Sequence, residues 1–283
     1  MGGSLAKEVV KVGFVKIGNI GMSRIVDLIL DERADREDVD VCVVGSGAKM
    51  TEAHAETAAK ALLQFDPDFA IVISPNAALP GPKKARNVIK DGGKPCIVVS
   101  DAPGKKAVEE LKSEGFGYII ITGDPMIGAR RQFLDPVEMS LFNADVLKVL
   151  SICGVVRIMQ EELDTVIEQI KKGETPTLPQ IVINAETAVN RAGFSNPYAA
   201  AKAFAAYSIA EKVADITVQA CFVVKEAERY VPMCAAAHEV MRYAALLADE
   251  AYEVEKYGDN LLRTPHAKTG EILKKRKLLE KPA

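Results

Sequence analysis

Between residues 9 and 122 the hydrophobic positions switch repeatedly between two periods. Continuous apolar runs rich in Val and Ile occupy residues 9–17, 39–45, 68–74, 95–100 and 117–122. Stretches with helical spacing lie between them at residues 20–30, 51–64, 82–90 and 104–115. Thr51 stands where an N-cap belongs, and Pro82 where a first-turn proline belongs. Strands that do not alternate with polar residues are buried on both faces, so helices must cover both sides of the sheet. Strand and helix units in series predict an α/β fold: a parallel sheet of about five strands, helices on both faces and right-handed crossovers.

The pattern changes after Asp124. Asp135 can cap a helix whose first turn holds Pro136 and Glu138. Val137, Leu141, Ala144 and Leu147 then make one apolar stripe, and helical character resumes over residues 155–172. A loop at 175–179 leads to a short strand at 180–184. Asn196 and Pro197 open a long helix to residue 213, residues 216–225 read as strand, and residues 231–256 make a third long helix. The chain thus divides into a parallel α/β coenzyme-binding domain, residues 1–134, and a helix-rich region, residues 135–283. The second part carries short strands, a small C-terminal β segment, and the substrate and oligomer contacts. Two Ala-rich helical stretches, 199–210 and 235–251, can pack on the sheet, on each other or on another subunit. A homo-oligomer is expected, since closed symmetric assemblies are the commonest kind.

Composition narrows the function. The 283 residues are 48% hydrophobic, enough for a large core. A net charge of −3 provides no global field for nucleic acid or an anionic membrane. No apolar run approaches a membrane span, and the N-terminus lacks the apolar core of a signal peptide, so a cytoplasmic protein is expected. Cys42, Cys96, Cys153, Cys221 and Cys234 are odd in number and widely spaced, as reduced thiols would be. Cys234 and His238 are one helical turn apart but lack a visible third metal ligand.

Ligands of open parallel sheets bind beyond the carboxyl ends of the strands. The turns there read GNIGMS from Gly18, GSGAK from Gly45, SPNAALPGP from Ser74, DAPG from Asp101 and DPMIGARR from Asp124. Each alone is ordinary turn chemistry, but five on one edge make a ligand cleft. The first lacks the third glycine of the dinucleotide fingerprint, and the second strand ends in glycine instead of a ribose-binding acid. Both absences argue against a nicotinamide coenzyme. The 18–21 turn can still offer backbone N–H groups to an anion. Candidate anion contacts are Lys16, Arg24, Lys49, Lys83, Lys84, Arg86, Arg130 and Arg131, with the last two best placed. Asp101 and Asp124 end neighbouring strands and can share the cleft; capping is their alternative role. No Gly-x-Ser-x-Gly elbow is present, and of the three histidines only His266 has a claim on a site, in its own or a neighbouring subunit. Residues 274–277 (KKRK) read as a solvated end or a phosphate-binding arm.

At these turns the sequence resembles the archaeal coenzyme F420-dependent methylenetetrahydromethanopterin dehydrogenases. The resemblance is carried by KIGNIGMS from Lys16, LILDERADREDV from Leu28, PNAALPGPKKAR from Pro75, SDAPG from Ser100, GDPMIGARRQFLDPVEM from Gly123, NADVLKVL from Asn143, ERYVPMCAAAHEVMR from Glu228 and LRTPHA from Leu262. It spans the chain. It implies reversible hydride transfer between methylenetetrahydromethanopterin, or a related pterin, and coenzyme F420, in methanogenesis or its reverse. It also implies a dissociable deazaflavin cosubstrate, no metal, no bound flavin, and a hexamer.

Such a transfer needs two rings held in contact away from water more than it needs a nucleophile. A carboxylate nearby would steady the cation that develops on the pterin. Asp101, Asp124 and Asp135 are candidates for that role. Gly18, Asn19 and Gly21 are expected as coenzyme-facing backbone and Asn76 and Pro80 as ring contacts. Lys49, Arg130 and Arg131 are expected to meet the phosphate and carboxylates of the coenzyme tail. The alternatives are a nicotinamide-dependent dehydrogenase and a non-catalytic small-molecule-binding subunit.

Overall fold

The computed structural model describes residues 7–283; residues 1–6, where the reading of a leader segment begins, lie outside it. Six parallel strands form one sheet: β1 (Val10–Lys16), β2 (Val39–Gly45), β3 (Phe69–Ser74), β4 (Cys96–Asp101), β5 (Gly117–Ile121) and β6 (Gln180–Ile183). Their order is β2-β1-β3-β4-β5-β6. Every residue of β3, β4 and β5 is buried, as unbroken apolar runs require.

Successive side chains of a strand enter opposite cores. Val12, Phe14, Ile71 and Val99 face the larger core, built with α1 (Met22–Glu32), α5 (Pro136–Ile152), α6 (Val155–Lys171), α7 (Ala185–Ala192), α8 (Pro197–Val218) and α9 (Ala227–Tyr257). Val15, Val72 and Val98 face the smaller one, covered by α2 (Glu52–Leu63), α3 (Pro80–Asp91) and α4 (Val108–Ser113). From β1 the chain crosses to β2 on one side, then returns past β1 to β3 on the other. Right-handed crossovers therefore put α1 and α2 on opposite faces. The carboxyl ends of β1 and β3 flank the point where the winding reverses.

The short strand expected at 180–184 joins this sheet beside β5, so sheet and larger core both continue past residue 134. One expectation is corrected and two are made specific. Residues 216–225 are not a strand: α8 runs to Val218 and a π-helical turn follows at Gln219–Val223. Its apolar residues serve a small core in which Ala220 meets Tyr230 and Cys234, so the run is helical packing surface instead of a sheet edge. The stripe Val137, Leu141, Ala144 and Leu147 is not the core face of α5. Phe142, Val146, Val149 and Leu150 are buried, while Val137 and Leu141 are 65% and 58% exposed, because two faces of this helix are apolar. The C-terminal β segment consists of isolated antiparallel bridges, Arg263 with Lys275 and His266 with Ile272.

The tail is anchored by a buried ionic network. Arg36 donates to Asp38 at 2.7 and 2.8 Å and to Asp164 at 2.8 Å, and His266 Nε2 lies 2.6 Å from Asp164. His266 belongs to this scaffold and not to the sheet's carboxyl edge. Among the described residues no single helix is long and apolar enough to cross a membrane.

Candidate functional site

The site is assembled where the turns after β1, β2 and β3 meet. Gly18 leaves β1 with φ +80, a conformation that favours glycine. A Cβ there would stand 2.5 Å from Met50 Sδ and 3.1 Å from Pro75 Cδ, so all three turns close on this residue. The Gly18 N–H donates to the Gly47 carbonyl at 3.1 Å, and Ser46 Oγ donates to the Lys49 carbonyl at 2.7 Å. Lys49 itself is exposed at the rim.

The N-terminus of α1 points at a protein carboxylate. Gly21 N–H and Met22 N–H donate to the two oxygens of Asp124 at 2.5 and 2.8 Å. Gly21 is required there, because a Cβ would lie 2.7 Å from Asp124 Oδ1. Asp101, at the end of β4, accepts from Ala102 N–H at 2.5 Å and is buried like Asp124. Burial, and then the charge of Asp124, raises the Asp101 carboxyl well above the ordinary carboxylate range. Burial pushes Asp124 up to about 7, against the pull of its two N–H donors. Burial of both carboxyls, and the charge of Asp124 beside Asp101, thus oppose full ionisation of the two together.

The β3 turn is tightly tied. Asn76 Oδ1 accepts from Ala78 N–H at 3.0 Å, and Ala77 N–H donates to Ser100 Oγ at 3.0 Å. Arg86 Nη1 donates to the Ala77 carbonyl at 2.7 Å. Pro80 is the exposed first residue of α3. Ser74 Oγ, buried at the carboxyl end of β3, has no hydrogen-bond partner among the described residues.

Residues 123–135 form a strap from β5 to α5. Gly123 N–H donates to Tyr207 Oη at 3.1 Å, and Tyr207 donates to the Ile183 carbonyl at 3.0 Å. Arg130 Nη1 donates to the Cys221 carbonyl at 2.7 Å, its guanidinium 4.0 Å above the Tyr230 ring. Tyr230 Oη bonds Gln132. Phe133 packs edge-on against His238 at 4.9 Å, and burial lowers the pKa of that imidazole. Arg131 is exposed.

The expected residues thus fall into groups. Gly18, Asn19, Asn76, Asp101 and Asp124 lie along the carboxyl edge at or beside the β1/β3 switch, with Lys49 and Pro80 at its rim. Gly21 turns its N–H inward to Asp124. Arg130 is committed to the strap, whereas Arg131 keeps a free guanidinium surface. Asp135 caps α5, accepting from Val137 and Glu138 N–H at 2.8 and 3.0 Å. Of the other candidate anion contacts, Lys16 pairs with Asp27 at 2.9 Å, Lys83 with Glu110 at 2.7 Å, and Arg86 is fully buried. Sequence reading missed Met50, Ser100 and Tyr207. Ser100 alone left a signal, as a polar residue closing an apolar strand.

The strand order and this edge define a class: a doubly wound α/β protein with Gly- and Asn-bearing turns at its β1/β3 switch and no dinucleotide fingerprint. A sequence profile of the methylene-5,6,7,8-tetrahydromethanopterin dehydrogenase family matches residues 10–283, and the chain belongs to that family. The F420-dependent methylenetetrahydromethanopterin dehydrogenase of Archaeoglobus fulgidus is 61% identical over 274 residues, covering 97% of this chain and 99% of its own. Those of Methanothermobacter thermautotrophicus and Methanocaldococcus jannaschii are 53% and 54% identical, with the same coverage. A solved F420-dependent methylenetetrahydromethanopterin dehydrogenase, in complex with methylene-tetrahydromethanopterin and coenzyme F420, superimposes with a TM-score of 0.94 at 50% identity. That comparison covers 97% of this chain and all of the other.

Proposed function

We infer that this chain is an F420-dependent methylenetetrahydromethanopterin dehydrogenase of archaeal one-carbon metabolism. The single observation that carries the reading is full-length similarity to enzymes of that activity, on a doubly wound fold whose switch point carries glycine- and asparagine-bearing turns. Gly18 lets the turns after β1, β2 and β3 close together, the β3 turn is tied by hydrogen bonds to Arg86 and Ser100, and the buried Ser74 hydroxyl is unclaimed.

The deazaflavin supplies the hydride acceptor or donor when bound. The turns at 18–19 and 74–77 hold the rings, with Asn76 and Pro80 beside them. Lys49 and Arg131 reach the anionic tail. Asp101 and Asp124 act by their field. Both are enclosed, and negative charge on Asp124 favours the cation left on the pterin as hydride departs. The Gly21 and Met22 N–H groups hold that carboxyl in place, so little reorganisation accompanies the transfer.

The protein works in the cytoplasm as a homo-oligomer, with a hexamer as the expected form. Exposed Leu141, Tyr243 and Leu246 on α5 and α9 support an assembled state, and native mass spectrometry reads it directly. Anaerobic assay with methylenetetrahydromethanopterin tests the activity. Reduction of coenzyme F420 is expected; turnover with NADP alone would reject the assignment, and binding without reduction would favour a sensor.

A further inference from the structure

We propose that Arg86 and Ser100 are positioning residues that clamp Ala77 by its carbonyl and its N–H, fixing the two successive peptides, and so set the β3 turn for ligand binding. This deepens, and rests on, the reading that places a cosubstrate ring at that turn.

Arg86 is a costly residue where it stands. Its side chain is wholly buried, its Nε lacks a partner, and its single carboxylate, Glu110 at 2.6 Å, is half-exposed and shared with Lys83. A buried cation with one shared counter-charge is weak as a stabilising device, and an apolar residue would fill the space as well. What the guanidinium adds is direction. One arm of the planar fork takes the Ala77 carbonyl at 2.7 Å while the other takes Glu110, and the plane lies 5.7 Å from the Phe116 ring centroid. An ammonium would present a point charge without that geometry.

Ser100 completes the device from the neighbouring strand. Its Oγ accepts the Ala77 N–H at 3.0 Å, so both polar groups of one residue are fixed by side chains 9 and 23 positions away. Room for the hydroxyl depends on Gly104, where any Cβ would collide with Ser100 Oγ. The flanking Asn76 is then set by its own bond to Ala78. A turn held this way loses little entropy when a ring settles on it.

The test uses the intact protein with Ser100→Ala, Arg86→Lys and, as a control on the site itself, Asn76→Ala. KM for each cosubstrate, kcat at saturation and Tm are measured for all three. Ser100→Ala removes one hydrogen bond and little volume, so it keeps the test interpretable if Arg86→Lys folds poorly. We expect Ser100→Ala and Arg86→Lys each to raise KM for one cosubstrate by about fivefold, the worth of one net hydrogen bond, with kcat within about twofold. The double variant should raise KM by less than the product of the two, because both act on one residue, Ala77. A lowered Tm with both KM values unchanged, while Asn76→Ala raises KM, would overturn the clamp and leave the site standing. Unchanged KM in Asn76→Ala as well would overturn the placement of the ring at this turn, and the clamp with it.

Discussion

At the residue scale, the informative pair is Asp101 and Asp124. Asp101 has a folded-state pKa raised above its unfolded value by burial and by its neighbour. Below about pH 4 the carboxyl is protonated in both states and contributes no pH dependence. As pH rises past that point the unfolded chain releases the proton and the folded chain keeps it, so this group lowers stability with increasing pH. Asp101→Asn removes the penalty. Its Tm advantage over the parent should therefore widen as pH rises above about 4, read by calorimetry at several pH values. A constant difference would show that Asp101 is ionised in the fold.

The two adjacent arginines should separate by readout. Arg130→Ala strips the Cys221 carbonyl of its donor and bares Tyr230, so we expect a loss of about 1–3 kcal/mol in denaturant unfolding. Arg131→Ala should leave stability within about 0.5 kcal/mol and raise KM for coenzyme F420. Equal stability of the two variants would contradict this division of labour.

At the element scale, Asp135 is a cap. Removing it as Asp135→Ala should cost about 1 kcal/mol by freeing two N–H groups at the start of α5, measured by urea unfolding. Loss of kcat without loss of stability would instead return Asp135 to the reacting carbon. The elements differed in how far the sequence revealed them. β3, β4 and β5 were legible because strands buried on both faces leave unbroken Val and Ile runs. The core face of α5 was not, since periodicity cannot rank two apolar faces of one helix. Residues 219–223 are β-rich in composition yet lie in a π-helical turn, settled by Tyr230, Cys234 and Arg130 from elsewhere in the chain. The turns of the site were visible as Gly, Asn and Pro clusters. Their side-chain commitments were not: Asp124 finds its donors 102 and 103 residues away, and no local spacing records such a contact.

At the scale of the whole molecule, residues 1–134 and the helix-rich part share one sheet and one large core. β6 closes the edge of β5, and Phe14, Ile71 and Val99 are covered by helices from beyond residue 134. We propose that residues 1–134 are a unit of ligand binding but not of folding. Expressed alone, that segment should lack cooperative thermal unfolding, because one face of its sheet would keep only α1 of its six covering helices; a sharp transition would contradict this. The division of faces bears on the proposed location of the chemistry. Helices cover both surfaces of the sheet, so we propose the carboxyl edge at the β1/β3 reversal as the place where two rings meet. A crystal structure of this chain with coenzyme F420 and methylenetetrahydromethanopterin tests that claim most directly. We expect the deazaflavin ring against the 18–19 and 74–77 turns, with the pterin methylene carbon on the side of Asp101 and Asp124. Rings bound away from those turns would contradict it.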